Sequence, residues 1–477
     1  MRVLHISAEC YPAAKAGGLG DVVGALPKYQ NQSGIAAGVV IPKYDLPWIR
    51  NRPTEVVYSG AFRMANGVNY PFAVEQTSID NLGFPLFFVN IPGQFDRQGI
   101  YGDANGWFGD NEERFVFFQQ AVLQWVLQFA EKPDLLHCHD HHSGLVPFMV
   151  KYCPDYHPLK DIPTVFTIHN GEYQGALRWD KYPILPAFYT EASGLLEWNG
   201  NINSLASAIK CSWAVTTVSQ SYMEELAYAS NGLESLVRDE WPKCRGILNG
   251  IDAQVWDPQQ DSYLPVRLAA DVDAFKQENK KALFSRFQFQ EQDPVFTFIG
   301  RLVREKGADL LPALIRQVLD SGLAVNFLIL GTGEADLHDA LRELNWAYRG
   351  RCDAVLEYNE ALAHTLYAGS DFLLMPSLVE PCGLNQMYAM RYGTVPIVRT
   401  VGGLKDTVID LGAFPAEGRG FRFDHFTVDD AHHAIWRAYS LYQDTAQMKS
   451  VRKRIMAVDF SWENAANNYF HLYQELI

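Results

Sequence analysis

The stretch Met375–Gly393 carries residues whose types can bind hydroxyl groups and anions. It follows the apolar run Phe372–Met375, which is short enough to be a buried strand, and a helix is predicted to begin at Gln386. Glu380 then lies beyond the carboxyl end of a strand, where its carboxylate could grip sugar hydroxyls. Asn385 lies near a helix N-terminus, where free N–H groups attract phosphate. The pairing indicates a sugar nucleotide, although an N-capped helix after a proline-containing turn explains the same residues.

Two cations follow another predicted strand. The run Val295–Ile299 leads into a loop with Arg301 and Lys306. A guanidinium and an ammonium beyond a strand end suit a diphosphate, whereas a solvated charged loop is their commoner setting. Near the N-terminus, the predicted strand Val3–Ile6 is followed by Lys15-Ala16-Gly17-Gly18, in which glycines allow close backbone approach and the lysine offers a point charge. This is not the GxGxxG pattern, and a simple turn also explains it.

The run His137-Cys138-His139-Asp140-His141-His142 follows a further predicted strand. Its composition suggests a metal, but neighbouring residues on a strand point to opposite faces and cannot all converge on one ion. We interpret the run as a polar strand end and predict no metal site. A convincing Asp-x-Asp motif beyond a strand is also missing, because Asp271-Val272-Asp273 falls in a charged, helical stretch.

Short apolar runs alternate with helical segments along the chain, which predicts an α/β fold with doubly wound parallel sheets. The pattern restarts near Val295, so we predict two such domains, divided near residue 245. Ligands of these folds bind outside the carboxyl ends of the strands. Every polar cluster named above follows a strand, so two domains facing each other would line a cleft with them.

The composition excludes several functional classes. A chain of 477 residues is too long for one core, which also favours two domains. A net charge of −15 argues against nucleic acid or an anionic membrane as a partner. The N-terminus does not read as a signal peptide, and no apolar run is long enough to span a membrane. The 7 scattered cysteines indicate reduced thiols, so we expect a cytoplasmic protein.

Together these motifs resemble the bacterial glycogen synthase and plant starch synthase family, whose members are retaining glycosyltransferases with two Rossmann-like domains facing across a deep cleft, the GT-B fold. The matching motifs are Lys15-Ala16-Gly17-Gly18-Leu19, His137-Cys138-His139-Asp140, Thr167-Ile168-His169-Asn170, Leu248-Asn249-Gly250-Ile251-Asp252, Gly300-Arg301-Leu302, Glu380-Pro381-Cys382-Gly383-Leu384 and Phe460-Ser461-Trp462. The resemblance implies an acceptor-side domain at residues 1–244, a donor-side domain at 245–458, and a helix at 459–477 that packs back on the first domain.

The resemblance also implies the reaction and its residues. The expected reaction transfers glucose from ADP-glucose to the non-reducing 4-hydroxyl end of an α-1,4-glucan with retention, without a cofactor. The implied catalytic residues are Glu380, His169, Arg301, Lys306 and Asp140. The implied donor-binding residues are Lys15, Gly17, Gly18, Asn249, Arg301, Lys306, Gly331, Gly333, Tyr358, Glu380, Cys382, Gly383, Leu384 and Asn385. The implied acceptor-binding residues are Phe95, Asp140 and His141.

Three positions depart from the family's pattern. His141 stands where bacterial relatives usually have Trp, Phe95 where Tyr is usual, and Asn385 where Thr is common. The first two bear on the choice of acceptor. The rival interpretations are a transferase of this fold with another nucleotide sugar or product, a non-catalytic glucan-binding protein, and a sugar-nucleotide epimerase.

Overall fold

The structure is a computed structural model that describes residues 1–78, 80–290 and 293–477. The chain divides into two compact units: unit 1 contains Met1–Asn249 and Trp462–Ile477, and unit 2 contains Gly250–Ser461. The predicted division after residue 244 lies too early, because Cys244–Gly246 is a strand that pairs in parallel with a strand of unit 1. The last segment rejoins unit 1 at Trp462 rather than at residue 459.

Unit 1 is built on a large, mainly parallel sheet. Its strands, together with those of two small sheets, are β1 (Arg2–Ile6), β2 (Ala36–Pro42), β3 (Thr54–Arg63), β4 (Asn69–Thr77), β5 (Leu86–Asn90), β6 (Gly102–Asp103), β7 (Gly106–Trp107), β8 (Leu135–His139), β9 (Thr164–Ile168), β10 (Ala176–Leu177), β11 (Glu197–Trp198), β12 (Asn201–Asn203), β13 (Ala214–Thr217) and β14 (Cys244–Gly246). The order in the large sheet is β14-β13-β9-β8-β1-β2-β5-β4-β3. It is parallel from β14 to β5, and β4 and β3 extend it as antiparallel strands.

The strand order of this sheet reverses between β1 and β8. From β1 the chain first builds outward through β2 and β5, and it then returns to place β8, β9 and β13 on the other side. Loops on the two sides of such a reversal diverge and leave a crevice at the carboxyl ends. The helices of unit 1 are α1 (Gly18–Gln32), α2 (Pro47–Arg50), α3 (Asn111–Val126), α4 (Val146–Tyr152), α5 (Ser193–Leu196), α6 (Ser204–Cys211), α7 (Gln220–Leu226) and α8 (Glu234–Asp239).

Unit 2 has a parallel sheet of β15 (Val295–Ile299), β16 (Asn326–Leu330), β17 (Cys352–Val355), β18 (Phe372–Met375), β19 (Val395–Arg399) and β20 (Phe421–Phe423). Its order, β17-β16-β15-β18-β19-β20, is that of a dinucleotide-binding domain, with the reversal between β15 and β18. Its helices are α9 (Val272–Phe287), α10 (Leu311–Asp320), α11 (Ala335–Ala347), α12 (Glu360–Gly369), α13 (Asn385–Arg391), α14 (Gly402–Thr407), α15 (Val428–Gln443) and α16 (Thr445–Met456). The prediction of two doubly wound α/β domains is confirmed.

The chain ends with α17 (Trp462–Leu476), which belongs to unit 1. Its buried residues recur at helical spacing and include Trp462, Ala466, Tyr469 and Tyr473. They join one hydrophobic cluster with residues of α1 such as Leu26. Across the described ranges, no helix combines the length and apolar character needed to cross a membrane.

Candidate active site

The loop after β1 carries the predicted lysine–glycine motif of unit 1. Lys15 is half exposed, and its Nζ lies 2.7 Å from Asp21 Oδ1. A Cβ atom added to Gly17 or Gly18 would meet no atom within 4 Å, so open space adjoins both residues. That space, at the sheet reversal, permits the close backbone approach expected there.

A buried carboxylate that the sequence did not single out organises this loop. Glu9 Oε2 accepts hydrogen bonds from the N–H groups of Ala16, at 2.7 Å, and Gly17, at 3.0 Å. Its other oxygen accepts one from the hydroxyl of Tyr101 at 2.7 Å. The Gly17 N–H therefore already has an acceptor. A phosphate could accept a hydrogen bond from this group only if the bond to Glu9 were broken. The sequence signal was slight, a lone Glu just beyond a strand.

Asp140 and His169, from the loops after β8 and β9, lie together. Asp140 adopts a positive φ of 54°, and its Oδ1 accepts a 2.7 Å hydrogen bond from the His169 backbone N–H. Burial raises the pKa of Asp140 to about 7 and lowers that of His169 to about 3. The pair offers a carboxyl group that titrates near neutral pH beside a neutral imidazole.

Two histidines of the run lie close to a third histidine from another strand, whereas adjacent residues of the run do not converge on that point. His5 of β1 joins His137 and His139 of β8, and one ligand atom from each lies within 4.8 Å of the others. Alternate residues of β8 share a face, which explains the convergence. Each ring nitrogen of this trio already has a hydrogen-bond partner. A metal ion would have to replace that network, so the residues do not fit a preformed metal centre.

Phe95 does not lie where a glucan could touch it. Its side chain is fully buried, packs edge-on against Tyr44 and lies under the guanidinium of Arg114 at 5.0 Å. The expected direct contact with an acceptor is therefore wrong for this side chain. The ring reaches the core because α3 supplies a buried arginine above it, which the polar neighbours of Phe95 in sequence do not reveal.

His141 lies in a partly buried position beside other rings. It packs on His142 with 3.7 Å between ring centroids, and its Nδ1 is among the buried polar atoms that have no partner in the described part of the chain. Close by, Tyr101 stacks on His142, and Trp107 lies between Tyr101 and Tyr173. Trp107 is 68% exposed, so this cluster presents aromatic faces to solvent, and rings of this kind pack well against sugars. The sequence analysis missed Tyr101 and Trp107.

Asn249, the last residue of the first segment of unit 1, is buried. Like His141 Nδ1, its Oδ1 is a buried polar atom that has no hydrogen-bond partner among the residues described. An unsatisfied buried amide is costly unless a ligand completes it.

In unit 2, the predicted residues meet at the reversal between β15 and β18. Lys306 lies in the turn after β15, and its Nζ is 2.8 Å from both carboxylate oxygens of Glu380, which follows β18. The hydroxyl of Ser377 donates a further 3.0 Å bond to Glu380. The side chain of Glu380 is only 9% exposed. The structure thus pairs two residues that the sequence had given separate roles.

Arg301 is more open to solvent. Its side chain is 64% exposed and makes a 3.3 Å contact with Glu305. A long cation in that position can reorient toward an anion at low cost, since an exposed ion pair of this kind stabilises little.

Asn385 connects the two sides of the reversal. Its Nδ2 donates a 2.6 Å bond to the carbonyl of Ile299, the last residue of β15, and α13 begins at Asn385, one residue earlier than predicted. Before it come buried Cys382, Gly383 at a φ of 73°, and Leu384 as the residue that precedes the helix. The side chain of Asn385 therefore fixes the loop, and only backbone groups of this turn remain for phosphate.

The remaining residues predicted to bind the nucleotide sugar are two loop glycines and one exposed tyrosine. Gly331 and Gly333 follow β16, and a Cβ there would lie 1.9 Å from the Gly300 carbonyl oxygen and 2.1 Å from that of Leu302. These glycines are required by loop packing whatever else they contact. Tyr358, after β17, is 83% exposed and presents a ring on which a base could stack.

Comparison with known proteins places this geometry in a family. Residues 2–239 match the model of the starch synthase catalytic domain, and residues 279–454 match that of glycosyl transferases group 1. A glycogen synthase of Flavobacterium johnsoniae is 47% identical, and the match covers 100% of this chain and 99% of the relative. One from Geobacillus thermodenitrificans is 36% identical, with 100% and 98% covered. The catalytic domain of starch synthase IV from Arabidopsis thaliana, bound to ADP and acarbose, has a TM-score of 0.84 at 32% identity and covers 99% of both chains.

Both family models and both full-length relatives agree with the fold and with the motifs quoted from the sequence. The chain therefore belongs to the glycogen synthase and starch synthase family of glycosyltransferases.

Proposed function

We propose that this glycosyltransferase transfers glucose from ADP-glucose to the non-reducing 4-hydroxyl end of an α-1,4-glucan, with retention, in the cytoplasm. The observation that carries the proposal is the Lys306–Glu380 pair at the strand-order reversal of a dinucleotide-type sheet. It puts a cation for a diphosphate beside a carboxylate for sugar hydroxyls. The related starch synthase IV, whose structure holds ADP and acarbose, supports the choice of nucleotide and glucan.

The donor is assigned mainly to unit 2. Lys306 and exposed Arg301 offset the charge that grows on the leaving diphosphate, while Glu380 accepts hydrogen bonds from glucose hydroxyls. Tyr358 stacks on the base, and the backbone of the turn before α13 faces phosphate. The family resemblance assigns Lys15, Gly18 and Asn249 of unit 1 to the donor as well, and within the described ranges the amide oxygen of Asn249 has no hydrogen-bond partner.

The acceptor is assigned to unit 1, where Asp140 and His141 lie near an exposed aromatic cluster. During transfer the bond from the anomeric carbon to the phosphate oxygen breaks, and a bond to the acceptor 4-oxygen forms on the same face. The proton of that hydroxyl goes to the departing phosphate oxygen. No carboxylate nucleophile and no metal ion are needed in this scheme, because Lys306 and Arg301 carry the charge.

The experiment is a measurement of nucleotide release and glucan extension with ADP-, UDP- and GDP-glucose, each with and without glycogen. We expect ADP release that requires glycogen and lengthens it. Preference for another nucleotide would replace the donor assignment, and glucan binding without nucleotide release would indicate a non-catalytic binding protein. Conversion of the donor into another nucleotide sugar, with no nucleotide released and no acceptor required, would favour epimerase-type chemistry. Glu380→Gln, which keeps the shape of the side chain, is the matched control for background hydrolysis.

A further inference from the structure

A line of buried hydrogen bonds runs through unit 1 and ends at His169. Gln30 Oε1 lies 2.7 Å from His5 Nε2, His5 Nδ1 lies 2.9 Å from His139 Nε2, and His139 Nδ1 lies 3.0 Å from His169 Nε2. Gln30, His5 and His139 have no exposed surface. Each donor in this line must therefore pair with an acceptor of the protein, because water does not reach these groups.

Every imidazole in the line is neutral near pH 7. Burial lowers the pKa of His5 to about 4 and that of His169 to about 3, and it lowers the pKa of His139 well below 6.5. A neutral imidazole has one N–H donor and one bare acceptor nitrogen. A chain of three such rings therefore has only two consistent arrangements, one for each direction of donation.

The amide of Gln30 selects between the two directions. Its oxygen faces His5, so His5 carries its proton on Nε2 and accepts at Nδ1. His139 must then donate from Nε2 and accept at Nδ1, and His169 must donate from Nε2. The proton of His169 is thereby placed on Nε2, and Nδ1 is bare.

Tyr473 of α17 holds the amide in this orientation. Gln30 Nε2 donates a 3.1 Å bond to the Tyr473 hydroxyl oxygen, and that hydroxyl lies 2.7 Å from His137 Nδ1. Donation from Tyr473 to His137 leaves His137 Nε2 as the donor to Thr167, at 2.6 Å. Thr167 in turn lies 2.6 Å from the hydroxyl of Thr216. The bonds from Gln30 through Tyr473, His137 and Thr167 to Thr216 form a second branch. One orientation of the Gln30 amide satisfies both this branch and the line to His169.

We propose that Gln30, oriented by Tyr473 of the C-terminal helix, fixes the tautomer of His169 through His5 and His139, so that Nδ1 of His169 accepts a hydrogen bond from a substrate hydroxyl. Gln30, His5, His139 and Tyr473 are positioning residues, since only His169 would touch the substrate. In the described ranges no partner is seen for His169 Nδ1, which leaves that nitrogen available. The part that concerns the substrate rests on the proposed function, whereas the tautomer does not.

The test is ¹⁵N NMR of the full chain labelled at its 13 histidines, in which protonated and bare ring nitrogens differ widely in chemical shift. His169→Asn identifies the His169 signals. We expect wild-type His169 to be protonated on Nε2. Gln30→Met removes the acceptor for His5, and Tyr473→Phe releases the amide to turn, so each should give a mixture of His169 tautomers. The turnover number should fall about tenfold in both, as for the loss of one hydrogen bond in the transition state, with little change in KM for ADP-glucose.

Thr216→Val is the matched control, because it removes a buried hydroxyl from the other branch and leaves the line to His169 intact. It should keep the His169 tautomer. A wild-type His169 protonated on Nδ1, or an unchanged tautomer in both Gln30→Met and Tyr473→Phe, overturns the proposal. Tyr473→Phe retains the packing of α17 and serves if Gln30→Met does not fold. A changed tautomer with normal turnover supports the relay and instead contradicts the role of His169 in the proposed function.

Discussion

Removing the charge of Lys306 should destabilise unit 2, because Glu380 would become a buried carboxylate without its cation. The two side chains are 24% and 9% exposed, and the nitrogen–oxygen distance is 2.8 Å. Two unit charges at 2.8 Å attract by about 6 kcal/mol at an effective dielectric constant of about 20, and by about 1.5 kcal/mol in bulk water. Desolvation of both groups offsets much of this attraction, so we expect a coupling energy of about 2–3 kcal/mol.

The assay is a double-mutant cycle of Lys306→Met and Glu380→Gln, with unfolding free energies measured in urea. Lys306→Met alone should cost about 2–4 kcal/mol, and the double variant should cost clearly less than the sum of the single variants. The matched control is Arg301→Met with Glu305→Gln, an exposed pair in the same loop, which should show a much smaller coupling. Additive effects of the Lys306 and Glu380 substitutions would refute the argument that the pair acts as one buried unit.

Four further outcomes are expected. Glu380→Gln should lower kcat by about two to three orders of magnitude, or about 3–4 kcal/mol, with a modest change in ADP affinity by calorimetry; near-normal turnover would remove Glu380 from the chemistry. Activity should survive EDTA, while Arg301→Ala costs about 2–4 kcal/mol in kcat/KM; recovery of an EDTA-inactivated enzyme by Mg²⁺ or Mn²⁺ would assign the charge to a metal instead. Burial raises the pKa of Asp140 to about 7. The unfolded carboxyl ionises near pH 4. The unfolding free energy should therefore decline between about pH 4 and 7 and then level, and Asp140→Asn should remove that slope in urea titrations at each pH. Phe95→Tyr should lower the unfolding free energy, measured in urea, by about 1–3 kcal/mol because it places a hydroxyl in the core. His141→Trp should change the KM for glucan and leave the KM for ADP-glucose unchanged. A changed glucan KM with unchanged stability in Phe95→Tyr, or a changed ADP-glucose KM in His141→Trp, would contradict these assignments.

Much of the fold was predictable because the central parallel strands of the two large sheets, such as β1, β8, β9 and β18, are short runs whose residues are almost all buried. The strands Val295–Ile299 and Phe372–Met375 end in the structure where the sequence predicted. The boundary between the two units was harder to predict from the sequence. The predicted division after residue 244 falls inside β14, and only the pairing of β14 with β13 assigns its three residues to unit 1.

The site was predictable as a set of residue types but not as a set of contacts. Lys306 and Glu380 are 74 residues apart, and their pairing depends on β15 and β18 being neighbours, which the sequence does not state. The burial of Phe95 depends on Arg114, which comes from a helix, and the line from Gln30 to His169 depends on three separate strands. Each of these features arises from strand order or helix placement rather than from local pattern.

The most direct test of the central claim is to incubate the enzyme with maltoheptaose and ADP-glucose labelled with ¹³C at the anomeric carbon, and to follow the label by NMR. The account predicts that the label enters a longer glucan as an α-1,4-linked residue, with ADP released in equal amount. A β-linked product would contradict retention. Labelled free glucose with no extended glucan would contradict glucan synthesis itself.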